Sequence, residues 1–358
     1  MNKGILVVYN ICTINRDNID KSLATSWISD IQSIFDQDFK DYHLIVSECR
    51  GSNKDSLKSD LLLNDFIKDM IDNDSSYNVI YEHLPIHSTF NYSVMEAVKK
   101  FGKFEYYMYV TSGISFREVF PTENSLIFKE ILKNVYNFLK DNNDIARVNL
   151  PIYDNDNCFP PHSAHYLDTL VKEPYYMKPG YRINDHCSIY SNDLYEAYDG
   201  RLRPDLYIGN GAEPTFSYLT GVIGKKNAIP PFYVCPMLAH NKRQDGGDNP
   251  GIKNDKWFLK YDTIEEVTAF RKRLERHGII IDYGHTCGAR PGVHEKHRSG
   301  TNEFLTETNK GILEENFGDD GVTMNESDRK SIFKFLKEEF FVSKDIIDYD
   351  NIKSKYYV

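Results

Sequence analysis

Three places in the chain carry side chains whose types and spacing could do chemistry. In Phe101-Gly-Lys-Phe-Glu-Tyr-Tyr-Met-Tyr-Val-Thr-Ser-Gly-Ile-Ser-Phe116, an aromatic and β-branched run stops abruptly at Thr111-Ser112-Gly113. Ligands of open α/β sheets sit just beyond the carboxyl ends of the strands, so these small polar residues predict a pocket floor. Farther on, Gly209-Asn-Gly-Ala-Glu213 puts a carboxylate behind a small-residue loop, at the expected opening of a helix. So placed, Glu213 can take a proton from a nearby hydroxyl. The competing reading is that it only caps its helix, where acidic residues are favoured by the dipole. The third place is His285-Thr-Cys-Gly-Ala-Arg-Pro-Gly-Val-His-Glu-Lys-His-Arg298. His285, Cys287, His294 and His297 number four as zinc ligands require, but their spacing fits no standard finger and the basic residues repel a cation. Arg290, His294, Lys296 and Arg298 make better sense as a basic loop able to close on phosphate. A solvated loop that contacts nothing is the alternative.

Strands must hold these groups, and periodicity supplies them. Apolar runs at 4–9, 42–47, 79–81, 105–110 and 145–149 read as strands. Helical spacing appears at 21–37, where Leu23, Trp27, Ile28, Ile31, Ile34 and Phe35 share one stripe, and again at 57–71, 93–101 and 128–139. Gly102 stands in the usual position after a helix end. The alternation predicts an α/β fold: a doubly wound, mostly parallel sheet with helices on both faces. The stretch 150–182 is rich in Pro, His and Tyr, and a loop of that length usually serves function. Asp154, Asp156 and His162 there could rim an acceptor, or could be plain turn residues. A strand over 184–191 would contain His186, read first as a core histidine, and a helix would follow with Asn192 as its N-cap. Further helices are expected from 213, near 264–276 and over 327–340.

Bulk properties narrow the field. The 358 residues are 41% hydrophobic and 13% aromatic, enough for a sizeable core. A net charge of −10 argues against nucleic acid as a main ligand. Six widely spaced cysteines form no CxxC pair, so free thiols in a reducing compartment are expected. The N-terminus is too short and polar for a signal peptide, and no segment approaches the ~20 apolar residues of a membrane span. A soluble, cytoplasmic protein is the expectation.

In order and spacing, several motifs resemble those of family 2 glycosyltransferases of the GT-A fold. Tyr9-Asn10 closes the first strand as the family's Tyr-Asn pair does. Ser33-Ile-Phe-Asp-Gln-Asp-Phe-Lys-Asp-Tyr-His-Leu-Ile-Val46 follows its Gln-x-aromatic-x-Asp block, and Ser47-Glu-Cys-Arg-Gly-Ser52 stands where Asp-Asp-Gly-Ser is usual. Asn91 matches an Asn in the helix before the fourth strand. Arg201-Leu-Arg-Pro-Asp-Leu-Tyr-Ile-Gly-Asn-Gly-Ala-Glu-Pro-Thr-Phe-Ser-Tyr218 resembles the acceptor segment of one subgroup. The resemblance implies a transferase domain over 1–240, with donor half 1–116 and acceptor half 117–240, and a C-terminal extension over 241–358. It implies a UDP- or GDP-sugar donor held by Tyr9, Asn10, Glu48, Asn91, Thr111, Ser112 and Gly113. A glycan or glycoconjugate would be the acceptor, with Glu213 as the base of an inverting transfer.

One departure bears on mechanism. Where the family places Asp-x-Asp to hold Mn²⁺ or Mg²⁺ against the donor's diphosphate, this chain has Thr111-Ser112-Gly113. A hard cation needs several oxygen ligands, normally carboxylates. Either no cation is required, or one binds through other groups such as His240. The missing motif also leaves a second expectation open, a catalytically degenerate transferase fold that binds glycan or a partner. A nucleotidyltransferase is disfavoured, since no Gly-rich phosphate loop follows the first strand.

Overall fold

The computed structural model describes residues 3–12, 21–49, 76–81, 86–116, 129–150, 152–153, 175–177, 187–203, 219–230, 235–236, 272–273, 276, 317–318, 326–340 and 353–356. The strands are β1 (Lys3–Cys12), β2 (Tyr42–Cys49), β3 (Ser76–Tyr81), β4 (Phe104–Thr111), β5 (Ile145–Asn149), β6 (Ile152–Tyr153), β7 (Tyr175–Met177), β8 (Cys187–Ser191), β9 (Lys226–Ile229), β10 (Cys235–Pro236), β11 (Phe317–Gly318) and β12 (Lys353–Tyr356). The helices are α1 (Lys21–Phe35), α2 (Ile86–Phe101), α3 (Ile131–Asp141), α4 (Asn192–Ala197) and α5 (Glu326–Phe340).

Ten strands form one sheet in the order β11-β7-β9-β5-β8-β4-β1-β2-β3-β12. Within β9-β5-β8-β4-β1-β2-β3 all strands run the same way except β8, which is antiparallel to β4 and β5. The α/β, mostly parallel, doubly wound fold expected from the sequence is what the structure shows. A separate pair joins β6 to β10.

Side-chain alternation sorts the central strands into two cores. On one face Ile5, Val7, Tyr9, Leu44, Val46, Met108 and Val110 pack with Trp27, Ile31 and Ile34 of α1 and Ile131, Leu132, Val135 and Leu139 of α3. On the other, Leu6, Val8, Ile45, Tyr107, Tyr109 and Tyr190 meet Phe90, Val94 and Ala97 of α2, Leu194 of α4, and Ile332 and Leu336 of α5. Strands covered on both faces read as near-continuous apolar runs, which is why 4–9 and 105–110 are so legible.

The largest shift of an expected boundary is at the start of α2, which begins at Ile86. α2 begins before the expected Ser93, and Gly102 follows it with φ 84° while its N–H bonds the Val98 carbonyl at 2.9 Å. The N-cap of α4 is Ser191 and not Asn192: Ser191 is extended at φ −75°, ψ 161°. Asn192 lies inside the helix, where its Oδ1 accepts from the Tyr107 hydroxyl at 3.2 Å. The helix expected over 57–71 and His186 lie outside the described residues, and the loop expected over 150–182 is described only at 150, 152–153 and 175–177, where it forms β6 and β7.

Tyrosine burial has a measurable consequence. Burial pushes the phenols of Tyr9 and Tyr198 well above their ordinary range, and Tyr42 up to about 12. Above pH 10 the unfolded chain releases phenolic protons that the folded chain keeps, so stability falls as pH rises. Each fully buried tyrosine contributes a slope of about 1.4 kcal/mol per pH unit there. Unfolding midpoints in urea should be flat from pH 8 to 9.5 and decline steeply above pH 10.

Candidate active site at the carboxyl end of the sheet

Parallel pairing brings the donor-half residues to one end of the sheet. Asn10 lies opposite Ser47 on β2 and Thr111 on β4, and Ile11 lies opposite Glu48. Neighbouring strands are roughly 5 Å apart, so Glu48 and Ser112 are separated by about two strand spacings at the same end. The two faces of that end differ.

On the α2 face the last inward positions of β2, β1 and β4 are Ser47, Asn10 and Thr111, all buried. Ser47 donates its hydroxyl proton to Asn10 Oδ1 at 2.6 Å, and Asn10 Nδ2 reaches the Val8 carbonyl at 3.3 Å. The polar row continues through Ser188 and Asn149, which face each other across β8 and β5.

On the α1 face, Tyr9 and Glu48 are buried at 0% and 1% exposure. The Tyr9 hydroxyl donates to Asp30 Oδ2 at 2.7 Å, so its polar tip is turned into the fold. Burial first and the Asp30 charge second hold this phenol neutral, well above its ordinary range.

The turn 111–113 joins the two faces. Ser112 N–H donates to the Asn10 carbonyl at 2.7 Å, and Ile114 N–H to the Thr111 carbonyl at 3.3 Å. Gly113 N–H reaches Asp30 Oδ2 at 3.1 Å and the Tyr9 hydroxyl at 3.3 Å. Gly113 has φ 93°, a region other residues enter only with strain, so the sharp reversal needs glycine. Ser112 is half-buried, and its hydroxyl is engaged by no described residue. It is the least buried polar side chain of the turn.

Asn91 serves a longer-range contact. Its Oδ1 accepts the N–H groups of Leu202 and Arg203 at 2.9 and 3.0 Å, and its Nδ2 donates to the Arg203 carbonyl at 2.7 Å. The Arg203 guanidinium stacks 3.7 Å from the Tyr109 ring centroid and donates to the Tyr190 hydroxyl at 2.8 Å. Arg147, equally buried, faces the same Tyr190 ring from 5.6 Å. Removing three buried bonds at once, Asn91→Ala should cost roughly 2–4 kcal/mol, read as a lower urea midpoint.

Sequence reading missed Arg147, Asn149, Ser188, Tyr190, Asn227 and Arg203 as a buried polar group on one face. A signal existed: Arg147 and Asn149 alternate within one strand, as do Ser188 and Tyr190. Glu213, His240, Arg290, His294, Lys296 and Arg298 lie outside the described residues.

A divalent cation does not suit the residues described at this turn. Thr111, Ser112 and Gly113 offer hydroxyls and carbonyls, and the carboxylate that touches the turn, Asp30, already accepts from Tyr9 and Gly113. Among the described residues no three His, Cys, Asp or Glu side chains gather as a cation site. No described helix is long and apolar enough to cross a membrane.

Fold and site together define an α/β protein with buried polar groups converging at the carboxyl ends of β2, β1 and β4. No family model and no curated protein sequence matches the chain. Among solved structures it is similar to the mannosyltransferase PcManGT from Pyrobaculum calidifontis in complex with GDP-Man and Mn2+. The identity is 12%, covering 94% of this chain and 81% of that one, with a TM-score of 0.48. It is similar also to TarS 1–349 of S. aureus in complex with UDP, at 11% identity, 96% and 94% coverage and a TM-score of 0.42. Against a longer S. aureus TarS chain the identity is 12% over 82% of this chain and 46% of that one, with a TM-score of 0.43.

Proposed function

We propose that this chain transfers a sugar from a nucleotide-sugar donor to a hydroxyl of a glycan or glycoconjugate. The observation that carries the reading is the convergence of Tyr9, Asn10, Glu48, Thr111 and Ser112 at one end of three adjacent strands, in the order the family resemblance requires. Glu48, at the end of β2, would take the hydroxyls or ring of the nucleoside. Asn91 belongs to the same donor half. Ser112 would meet the diphosphate, and Arg290, His294, Lys296 and Arg298 would neutralise it.

In the transfer the acceptor oxygen attacks the anomeric carbon while Glu213 takes its proton. The bond from that carbon to the diphosphate oxygen breaks with its electron pair, and the nucleoside diphosphate leaves with inverted stereochemistry at the sugar. Charge-assisted hydrogen bonds to phosphate are roughly twice as strong as neutral ones, so the basic loop suits the leaving group. No step runs through a cation.

The test is a thermal-shift panel of nucleotide sugars, with and without Mn²⁺, followed by assay of nucleoside diphosphate release. UDP- and GDP-sugars come first in the panel. A donor that raises the melting temperature and is consumed only with an acceptor glycan supports transfer. No stabilisation by any nucleotide sugar would remove the proposal.

A second reading draws on the absence of carboxylates at 111–113. It makes the chain a degenerate transferase fold that binds glycan or a partner without turnover. Glycan binding with neither donor hydrolysis nor transfer would favour it.

A further inference from the structure

We infer that Asp30 and Ser33 of α1 are positioning residues that lock the turn 111–116 to the protein and so present Ser112 to the donor's phosphates. The inference rests on the donor site proposed above. α1 packs its inner stripe of Trp27, Ile31 and Ile34 against the sheet, and Asp30 and Ser33 interrupt that stripe at 0% and 1% exposure. A helix that served only the core would carry apolar residues there, because a buried carboxylate is costly unless hydrogen-bonded.

Each side chain accepts one backbone N–H of the turn. Asp30 Oδ2 accepts from the Tyr9 hydroxyl at 2.7 Å and from Gly113 N–H at 3.1 Å. Ser33 Oγ accepts from Phe116 N–H at 2.8 Å and donates to the Asp30 carbonyl at 2.5 Å. Three apart on a helix, the two residues share one face and grip the turn at its apex and at its exit. With Ser112 N–H on the Asn10 carbonyl and Ile114 N–H on the Thr111 carbonyl, the amides of 112, 113, 114 and 116 all bond within the protein.

The consequence is specific. This turn cannot cradle phosphate with those amides, and its residues do not suit a cation that would tie it to the ligand. Its least buried polar side chain is Ser112, which is half-buried, and the turn that carries it is held from behind by α1. Such preorganisation lowers the cost of ordering the turn when a ligand binds. The phosphate part of a donor should therefore feel a change at Asp30, while the nucleoside part should not.

The experiment measures affinities of the full chain, in EDTA, for UDP and GDP by calorimetry and for uridine and guanosine by ligand-observed NMR. Wild type is compared with Asp30→Ala, Asp30→Asn and Ser33→Ala. Asp30→Ala should weaken the bound diphosphate about tenfold, equivalent to one charge-assisted hydrogen bond, and leave nucleoside affinity unchanged. Asp30→Asn keeps an oxygen for Gly113 N–H and should recover most of the loss. Ser33→Ala, the milder change should Asp30→Ala fail to fold, should show the same pattern at about threefold. Amide hydrogen exchange at Gly113 and Phe116 should quicken in step. Equal losses of nucleoside and diphosphate, or unchanged diphosphate affinity, overturn the inference. A wild-type chain that binds neither UDP nor GDP overturns the donor site itself, a result visible before any variant is made.

Discussion

On the proposed function, replacing Glu213 by Gln should lower sugar transfer by about 10²–10⁴-fold and leave donor affinity nearly unchanged, the size expected when a general base loses its proton-accepting form. The amide keeps the shape and hydrogen bonding of the carboxylate, so the loss isolates proton transfer. Nucleoside diphosphate binding should match wild type, because Glu213 is assigned to the acceptor side. The segment that carries it leaves the described fold at Arg203, and Asn91 holds the backbone there by one bond to Leu202 and two to Arg203. That anchor gives the segment a fixed root on the sheet side opposite α1. Transfer at the wild-type rate in Glu213→Gln would remove the residue from this role.

If the proposed function holds, sugar transfer should persist in EDTA and be lost when Arg290, Lys296 and Arg298 are neutralised together. A cation in an ordinary transferase of this type supplies several kcal/mol of charge stabilisation to the leaving diphosphate. Here the turn that would hold it offers Thr111, Ser112 and Gly113, and Asp30 behind it is committed to Tyr9 and Gly113. Charge on the leaving group must then be met by basic side chains. The triple substitution to Gln should reduce turnover by about 10²–10⁴-fold if each contact contributes roughly one to two kcal/mol. The rival is a cation held by His240 and the donor phosphates. Complete loss of activity in EDTA that Mn²⁺ restores would establish that rival.

The strand order could not be read from the sequence, although β1, β2, β3, β4, β5 and β8 could; β6, β7, β9, β10, β11 and β12, two to four residues each, are too short to show a periodicity. Apolar runs at 4–9, 42–47 and 105–110 became β1, β2 and β4, because strands buried on both faces are mostly apolar, and 145–149 became β5 although Arg147 and Asn149 are buried in it. The stripe Trp27-Ile31-Ile34 marked α1 for the same reason, and Gly102 marked the end of α2 by its left-handed backbone. These are local properties, carried by neighbours in the chain. The position of β8 between β4 and β5, running against both, is a pairing between residues far apart in sequence and leaves no local trace.

The candidate site divides along the same line. The polar ends of β1, β2 and β4 were legible, since Asn10, Glu48 and Thr111-Ser112-Gly113 each terminate an apolar run. What those groups bond to was decided by tertiary structure alone. Asn91 gives no sign in its helix of reaching Leu202 and Arg203, and Tyr9 none of turning toward Asp30. Asp30 and Ser33 drew no reading of their own from the sequence of α1, yet both are buried against the turn at 113–116. A hydrogen bond between distant residues depends on where two faces are brought into contact, and periodicity within one segment carries no information about the face it will meet. The sequence by itself therefore determined the elements and the polar ends of the strands; only the packing of α1 and α2 on opposite faces decided which polar groups hold the turn and which are left to meet a ligand.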